Sequence, residues 1–450
     1  MIAKITLTIT QGTAKGQHFL FDDRTTCIMG RAADCHPQLP DDPAHNTISR
    51  YHCLLDINPP QIRIRDFGSL NGTYINSTLI GKRHPETTPE QAKDMNFPEH
   101  DLKHGDQIQL GDTIFQITIE TPIEATQPIT KFTGGEKTNV LARVKQLVGQ
   151  AEANTPNDIP PIEGYTLLKH LGEGGFGDVY LARNQKNQEE IALKILLPKM
   201  QQNEYIVNLF LREIENTKAL SHPNIVTLRD YGKSEELFYF TLDYCNKGSV
   251  ADLMRQSRQP LTITEASTII LQTLHGLEYS HTAPIPNIKQ ADGSYTAGQG
   301  IVHRDLKPAN LFLHQIGDTT LVKIGDYGIS KAFDQAGLSG LSMSGTMAGT
   351  PYFMSRPQLI NFKYAKPEVD IWATAACFYY MLTNTYPRDF TDPSKDPFRI
   401  VLETSAIPIR QRNPSIPKPL AEVIDRALID NPSIPYKTAT EFRQALESVL

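Results

Sequence analysis

An aspartate, a lysine and an asparagine stand close together in the segment His303-Arg304-Asp305-Leu306-Lys307-Pro308-Ala309-Asn310. Asp305 could accept the hydrogen of a hydroxyl group and orient it for in-line attack, and Lys307 could stabilise the charge of a phosphoryl group in transfer. Asn310 could bind a magnesium ion, and so could Asp326 of the later Asp326-Tyr327-Gly328. The types and the order of these residues indicate phosphoryl transfer.

A glycine-rich segment precedes them, reading Leu171-Gly172-Glu173-Gly174-Gly175-Phe176-Gly177-Asp178-Val179. Without side chains, such a loop lets backbone N–H groups approach nucleotide phosphates, although glycines also make plain hairpin turns. The flanks on both sides read as strands. That context favours a loop that covers phosphates over a dinucleotide-binding fold, which needs a helix to follow.

Lys194 lies inside the apolar strand pattern Ile191-Ala192-Leu193-Lys194-Ile195. A lysine in such a strand needs an anionic partner, and a polyphosphate is one; a stem lying along the surface is the alternative. Glu213, in the helical pattern over 210–220, is the candidate for its ion-pair partner.

Together these motifs resemble the eukaryotic-type protein kinase family, in its Ser/Thr branch, over residues 165–450. The resemblance implies an α+β bilobal fold, ATP as phosphoryl donor, Mg²⁺ as cofactor and proteins as substrates. It implies Asp305, Lys307, Lys194 and Glu213 as catalytic residues and Asn310 and Asp326 as metal ligands. It implies that the nucleotide is bound by Gly172, Gly174, Gly175, Phe176, Gly177, Val179, Ala192, Lys194, Asp243 and Cys245. It also implies that Asp370 anchors the catalytic loop, the segment that contains Asp305.

Three positions depart from the family pattern. Tyr327 replaces the usual Phe beside the metal-binding aspartate, which keeps the ring. In Ser355-Arg356-Pro357 a proline stands where the family has a glutamate, and the arginine that normally pairs with that glutamate is also replaced by a proline. Loss of both partners leaves no unpaired buried charge, so we expect a replaced structural support and retained catalysis.

Arg304, before the catalytic aspartate, is the kind of residue that pairs with a phosphorylated activation loop in this family. A phosphate adds about −1.5 to −2 charges and could order the loop over 328–350 against it. The candidate sites are Ser339, Ser342, Ser344 and Thr346, and the alternative is that these hydroxyl groups only keep the loop soluble. Thr350 is expected to contact Asp305 and Lys307 as a structural residue.

A second constellation lies in the N-terminal 120 residues. Gly30-Arg31, Ser49-Arg50-Tyr51-His52 and Ser69-Leu70-Asn71-Gly72 all fall at strand ends or turns, and such loops gather at one edge of a sandwich. These residues resemble the forkhead-associated (FHA) domain, which binds phosphothreonine peptides. The resemblance assigns the phosphate to Arg31 and Ser49, an adjacent contact to Arg50, the peptide backbone to Asn71 and a buttressing role to His52.

The elements that must position these residues divide the chain into three parts. Residues 1–120 contain short strands separated by turns, which predicts an all-β sandwich with a polar loop over 82–104. Residues 121–163 read as a linker, in which helical spacing over 140–152 predicts one short helix. The kinase-like part occupies 164–450, with strands first and helices after. Its insertion over 283–300 is expected to be a surface loop, either a partner site or merely tolerated.

Bulk properties restrict the partners. The net charge of −6 argues against a nucleic-acid binder. No apolar run approaches the roughly 18–20 residues that cross a bilayer, so we expect a cytoplasmic protein without a membrane span. The five cysteines show no metal-binding spacing and are expected to be free thiols. The phosphothreonine reader could bind phosphorylated partners or the chain's own phosphorylated segments. The competing hypothesis is a catalytically weak kinase-like scaffold that binds phosphoproteins.

Overall fold

The computed structural model describes residues 3–22, 25–33, 35–84, 97–120, 162–174, 177–196, 214–234, 237–289, 295–327, 351–360, 362, 365–392 and 395–450. Within them the chain forms the two bodies that the sequence predicts, an N-terminal β-sandwich and a C-terminal bilobal α+β domain.

Two antiparallel sheets form the N-terminal domain. The six-stranded sheet has the order β2-β1-β10-β9-β6-β7, and the four-stranded sheet has the order β3-β4-β5-β8. The strands are β1 (Lys4–Gln11), β2 (His18–Phe21), β3 (Thr25–Met29), β4 (Cys53–Asn58), β5 (Gln61–Asp66), β6 (Thr73–Ile75), β7 (Thr78–Gly81), β8 (His100–Leu102), β9 (Gln107–Leu110) and β10 (Thr113–Glu120). Alternate residues of β1, such as Ile5, Leu7 and Ile9, enter the core between the sheets because successive side chains of a strand point to opposite faces.

The small lobe of the C-terminal domain is a five-stranded antiparallel sheet in the order β11-β12-β13-β15-β14. Its strands are β11 (Tyr165–Gly174), β12 (Gly177–Asn184), β13 (Glu190–Leu196), β14 (Leu228–Ser234) and β15 (Leu237–Asp243). Residues 214–218 are helical and lie between the third and fourth of these strands in the sequence.

The large lobe is built from helices and two hairpins. The helices are α1 (Val250–Ser257), α2 (Ile263–Ser280), α3 (Arg356–Ile360), α4 (Glu368–Thr383), α5 (Pro397–Glu403), α6 (Ile409–Arg412), α7 (Lys418–Ala427) and α8 (Ala439–Glu447), and the hairpins are β16 (Pro284–Lys289) with β17 (Tyr295–Gln299) and β18 (Leu311–Ile316) with β19 (Thr319–Ile324). Helix α4 is apolar on nearly every face and forms the centre of the lobe core, with Trp372 and Phe378 fully buried.

The prediction of a loop over 283–300 is wrong, because strands β16 and β17 form a hairpin there. The hairpin contacts the helical segment 214–218 through Asn216, whose side chain donates to the carbonyl oxygen of Asn287 at 2.9 Å and accepts from its N–H at 3.0 Å. The insertion is therefore packed against the helix that precedes β14. The loop prediction over 82–104 is also wrong in part, since β8 pairs with β5.

The outer face of the four-stranded sheet is apolar, and it packs against the large lobe. All five residues of β3 are buried, although a strand at the surface of a sandwich normally exposes every second residue. Ile28 and Leu54 are paired across β3 and β4 on the outer face. They pack with Phe67 and with Leu359, Phe398, Val401 and Leu402 of α3 and α5. The two domains thus share a hydrophobic contact.

A buried ion pair closes this contact. Arg65, the cross-strand neighbour of Leu54, lies 2.7 Å from the Asp396 carboxylate, and both side chains are less than a tenth exposed. The other oxygen of Asp396 caps α5 by accepting the N–H groups of Phe398 and Arg399. The guanidinium of Arg65 also lies over the Phe67 and Phe398 rings. Removing one member of a buried pair costs about 3–5 kcal/mol, so the contact depends on both charges.

Among the helices that the structure describes, none is both long and apolar enough to cross a membrane.

Asp396→Asn is expected to separate the two domains. The amide keeps the helix cap, because Asn caps as well as Asp, but it leaves the buried Arg65 without its counter-charge. Small-angle scattering should show a larger radius of gyration for the variant. Asp392→Asn, which alters an exposed pair to Lys395, is the control that should not expand. Arg65→Met added to Asp396→Asn should restore the compact form, and an unexpanded single variant would contradict the role of the pair.

Candidate active site and phosphopeptide pocket

The carboxylate of Asp305 is held by two neighbours of the same loop. Lys307 Nζ lies 2.9 and 3.2 Å from its two oxygens, and Asn310 Nδ2 donates to its backbone oxygen at 2.7 Å and to its carboxylate at 3.2 Å. The side chains of Asp305 and Lys307 remain 33% and 24% exposed. The structure therefore brings three sequence-predicted residues together, with the carboxylate still accessible to a substrate.

The backbone of this loop rests on Asp370, at the start of α4. Its carboxylate accepts the N–H groups of His303 and Arg304 and the Nε2–H of His281, each at 2.8 Å. Burial alone would raise the pKa of Asp370, but its hydrogen bonds and nearby histidines hold the pKa below its ordinary value. Arg304 has a left-handed backbone, with φ at 65°, which costs energy in a non-glycine residue. The anionic Asp370 stabilises that conformation by bonding the Arg304 N–H directly.

The metal-binding candidate Asp326 is brought beside the catalytic loop by β18 and β19. Gly325 N–H donates to the backbone oxygen of Asn310 at 2.9 Å, and the Gly325 oxygen lies 2.7 Å from His303 Nε2. Asp326 also has a left-handed backbone, with φ at 60°. Two non-glycine residues in this sparsely populated region thus flank the candidate site, as is common at active sites.

Tyr327, the departure beside Asp326, is fully accommodated. Its ring is 2% exposed and meets His303 edge-on at 4.7 Å. Its hydroxyl donates to Ser280 Oγ at 2.8 Å, and its backbone oxygen accepts from Thr217 of the helical segment 214–218 at 3.0 Å. The additional hydroxyl therefore has a partner inside the core, and burial raises its pKa.

The nucleotide-side residues lie on the small-lobe sheet. Gly174 pairs with Gly177 at the end of the antiparallel strands β11 and β12, so a strand lies on each side of the glycine-rich segment, as predicted. Lys194 lies on the central strand β13, between Val179 and Phe240, and its Nζ lies 5.8 Å from the centre of the Phe240 ring. Ala192 lies on the same strand.

The side chain of Asp243 has a structural role at the end of β15. Its carboxylate accepts from Arg229 Nε at 2.6 Å, from Lys323 Nζ at 2.9 Å and from the Thr227 N–H at 3.1 Å. Burial opposes ionisation, but these donors lower the pKa of Asp243. Cys245 is half-buried, and burial raises its pKa to about 12, so it is not an activated thiol.

Some predicted site residues lie outside the described residues. These are Glu213, Gly175, Phe176, Thr350 and the candidate phosphosites Ser339, Ser342, Ser344 and Thr346. The helix predicted over 140–152 also lies outside the described residues.

In the N-terminal domain, Arg31, Ser49 and Arg50 all line one cavity of about 550 Å³. Arg31 Nε donates to the Ile48 oxygen at 2.6 Å, and its guanidinium also pairs with Asp41. Ser49 Oγ accepts the Leu70 N–H at 3.2 Å. The cavity thus presents a guanidinium, a hydroxyl group and an exposed arginine, which are groups suited to a phosphate.

Asn71 and His52 hold the loops that surround this cavity. Asn71 Nδ2 donates to the Thr47 oxygen at 2.7 Å. The His52 ring is fully buried, accepts the Ser49 N–H at Nδ1 and donates from Nε2 to the Gly72 oxygen, and burial lowers its pKa. The neutral ring therefore links the Ser49 loop to the turn at Gly72, where φ is 93° and a Cβ would meet Leu79 at 2.6 Å.

Two family models match the chain. The family model described as "Protein kinase domain" matches residues 165–442, and the model described as "FHA domain" matches residues 27–111. The chain belongs to the protein kinase family. It carries an FHA domain on the N-terminal side of the kinase domain.

Individual relatives cover the kinase domain. The chain is 29% identical over 289 residues to serine/threonine-protein kinase PknB of Mycobacterium tuberculosis, which covers 63% of this chain and 42% of that protein. It is 29% identical over 285 residues to a probable serine/threonine-protein kinase of Clostridium perfringens, covering 63% and 38%. The chain therefore spans about two fifths of the length of these relatives. Among solved structures, the PknI kinase domain of Mycobacterium tuberculosis is 22% identical with a TM-score of 0.47, covering 66% of this chain and 99% of that one.

The kinase domain replaces its missing glutamate–arginine pair with a pair that sequence reasoning did not find. Arg388 and Asp430 are buried and lie 2.5 Å apart. Asp430 accepts the Arg356 N–H at 2.7 Å, and Arg388 donates to the Met354 oxygen at 3.2 Å. This pair therefore holds both ends of Met354-Ser355-Arg356. Because Arg388 and Asp430 are distant in the sequence, no local pattern could predict that they pair.

Helix α3 connects this segment to the catalytic loop. Gln358 is buried, and its Nε2 donates to the Arg304 oxygen at 2.6 Å. The backbone of Arg304 is thus bonded by Asp370 at its N–H and by Gln358 at its oxygen. The altered segment supports the catalytic loop without the usual glutamate.

Asp430→Asn is expected to destabilise the kinase domain by about 3–5 kcal/mol, because it leaves the buried Arg388 unpaired. That cost corresponds to a Tm lower by about 10 °C for a domain of this size. Thermal unfolding of the variant measures it. The double variant Arg388→Met with Asp430→Asn should recover most of the loss, and the exposed Arg410→Gln should change Tm little. A single variant as stable as that control would show that the pair is not the support.

Proposed function

We propose that the chain is a protein serine/threonine kinase that uses ATP and Mg²⁺, and that its FHA domain recruits phosphothreonine-containing proteins or the kinase's own phosphorylated segments. The observation that carries the catalytic part is the arrangement of Asp305, held by Lys307 and Asn310, beside the loop that presents Asp326. This is the residue set that positions a hydroxyl nucleophile against a nucleotide phosphate.

Asp305 would accept the proton of a substrate serine or threonine hydroxyl group. The hydroxyl oxygen then forms a bond to the γ-phosphorus of ATP, the bond from that phosphorus to the β,γ-bridging oxygen breaks, and ADP leaves. Lys307, bonded to the Asp305 carboxylate, would stabilise negative charge on the phosphoryl group in transfer. Lys194, on the central small-lobe strand, would bind the α- and β-phosphates.

The residues present fit a magnesium ion. Asn310 uses its amide nitrogen on Asp305, which leaves its amide oxygen as the ligand atom, and Asp326 adds a carboxylate. Two protein oxygen ligands suit Mg²⁺, which is usually held jointly by one or two side chains, by waters and by substrate phosphates. When bound, the ion would neutralise charge on the phosphate oxygens.

Asp305→Asn is expected to lower phosphorylation at least about 100-fold, since removing a positioned proton acceptor costs about 10² to 10⁴ in rate. The measurement is incorporation of radiolabelled phosphate from ATP into the chain and into a basic protein substrate, with and without magnesium. Asp318→Asn, in the turn between β18 and β19, is the matched control and should keep activity. Absence of label with the unaltered chain would favour the phosphoprotein-binding scaffold.

Arg31→Ala is expected to weaken binding of phosphothreonine peptides at least about tenfold, because hydrogen bonds to charged groups contribute about 1.5–3 kcal/mol. Binding is measured by fluorescence anisotropy with a peptide library that has a fixed phosphothreonine. Lys15→Ala, at an exposed turn of the same domain, is the control. The same library with unphosphorylated threonine should not bind, and equal affinity of Arg31→Ala and the unaltered chain would show that the pocket is elsewhere.

A further inference from the structure

The cavity that carries the FHA residues is not confined to the FHA domain. Its remaining wall comes from the kinase domain and includes Arg356 of α3, Arg399, Leu402 and Glu403 of α5, and Asn431. A cavity of about 550 Å³ is in the ordinary range for ligand sites. The docking of the two domains therefore creates a site that neither domain encloses alone.

The side chains that line this cavity carry a positive net charge, although Arg31 also pairs with Asp41. The residues that line it include five arginines, Arg31, Arg50 and Arg83 from the FHA domain and Arg356 and Arg399 from the kinase domain, against one glutamate, Glu403. A phosphothreonine brings about −1.5 to −2 charges, for which the three FHA arginines suffice. The two kinase arginines add charge that a single phosphate does not require.

Existing contacts fix where the kinase arginines stand. Arg356 donates to the Leu402 oxygen at 2.5 Å and to the Tyr51 hydroxyl group, and its guanidinium lies over the Tyr51 ring. Arg399 pairs with Glu403 one helical turn away, at 2.9 Å. Tyr51 directly follows Ser49-Arg50, so the kinase side of the cavity adjoins the predicted phosphate-binding loop.

We propose that the phosphopeptide site is shared by the two domains and takes a phosphothreonine peptide with a second anionic group. The FHA residues hold the phosphothreonine, and Arg399 and Arg356 hold the second anion, which is either the carboxylate of an acidic residue or another phosphate. This inference rests on the proposed phosphothreonine binding and adds the specificity that the kinase domain contributes to it. It also gives a role to Arg356 of the altered segment Ser355-Arg356-Pro357, a cation that lies at the domain contact.

The test is selection from a phosphothreonine peptide library by the full chain carrying Asp305→Asn, which prevents further phosphorylation. The unaltered pocket should select acidic residues at one flanking position by about tenfold. Arg399→Gln should reduce that preference to about twofold or less while the requirement for phosphothreonine remains. Glu403→Gln, which removes the carboxylate from the cavity wall, should increase it. Arg410→Gln, an exposed arginine outside the cavity, is the matched control.

The outcomes distinguish a failure of the proposed phosphothreonine binding from a failure of the shared site. Binding that does not depend on phosphothreonine or on Arg31 would overturn the FHA function itself. Binding that depends on both, but with the same flanking preference in Arg399→Gln and in the unaltered chain, would overturn the shared site alone. Peptides with phosphoserine or with aspartate at the selected position then identify the second anion, and weaker binding of both than of an alanine peptide would also contradict the proposal.

Discussion

The catalytic loop depends on one buried carboxylate. Asp370 is 1% exposed and yet ionised, because two backbone N–H groups and the His281 ring satisfy it. Those bonds hold Arg304 in a left-handed backbone that it would not adopt alone, and the direction of Asp305 follows from that of Arg304. Asp370 belongs to the hydrophobic helix α4. The helix at the centre of the large-lobe core therefore also supports the catalytic loop.

The segment Met354-Ser355-Arg356 is still anchored by polar contacts with buried residues, but by different residues from those usual in the family. The segment needs a polar anchor, because the oxygen of the buried Met354 and the partly buried N–H of Arg356 both need hydrogen-bond partners. Arg388 and Asp430 provide both bonds in one ion pair. Arg388 and Asp430 compensate each other's charge. The family's usual glutamate and arginine are both absent, so neither leaves an unpaired buried charge. Arg356 can then direct its guanidinium towards Tyr51 of the FHA domain.

Most of the fold and of the catalytic set could be predicted from the sequence because both have local patterns. The spacing around Asp305, the glycines before Val179 and the alternation in β1 each lie within a few residues. What could not be predicted depends on contacts between distant segments, such as Arg388 with Asp430 or Asn216 with Asn287. The domain contact did leave a signal. Ile28 and Leu54 are apolar residues on the face of a sandwich that should meet water, and Arg65 extends that row.

The contact made by Ile28, Leu54 and Arg65 joins the two domains directly and not only through their linker. A flexible linker alone would raise the local concentration of a captured ligand without fixing its direction. Here Ile28, Leu54 and Arg65 fix the FHA domain on α3 and α5, and α3 in turn bonds the catalytic loop through Gln358. Since a captured ligand would touch the same short helix that supports Arg304, its binding energy can act on the position of that helix. If the proposed shared site binds a phosphopeptide, recognition would be coupled to catalysis through α3, in a direction set by the packing of the domains.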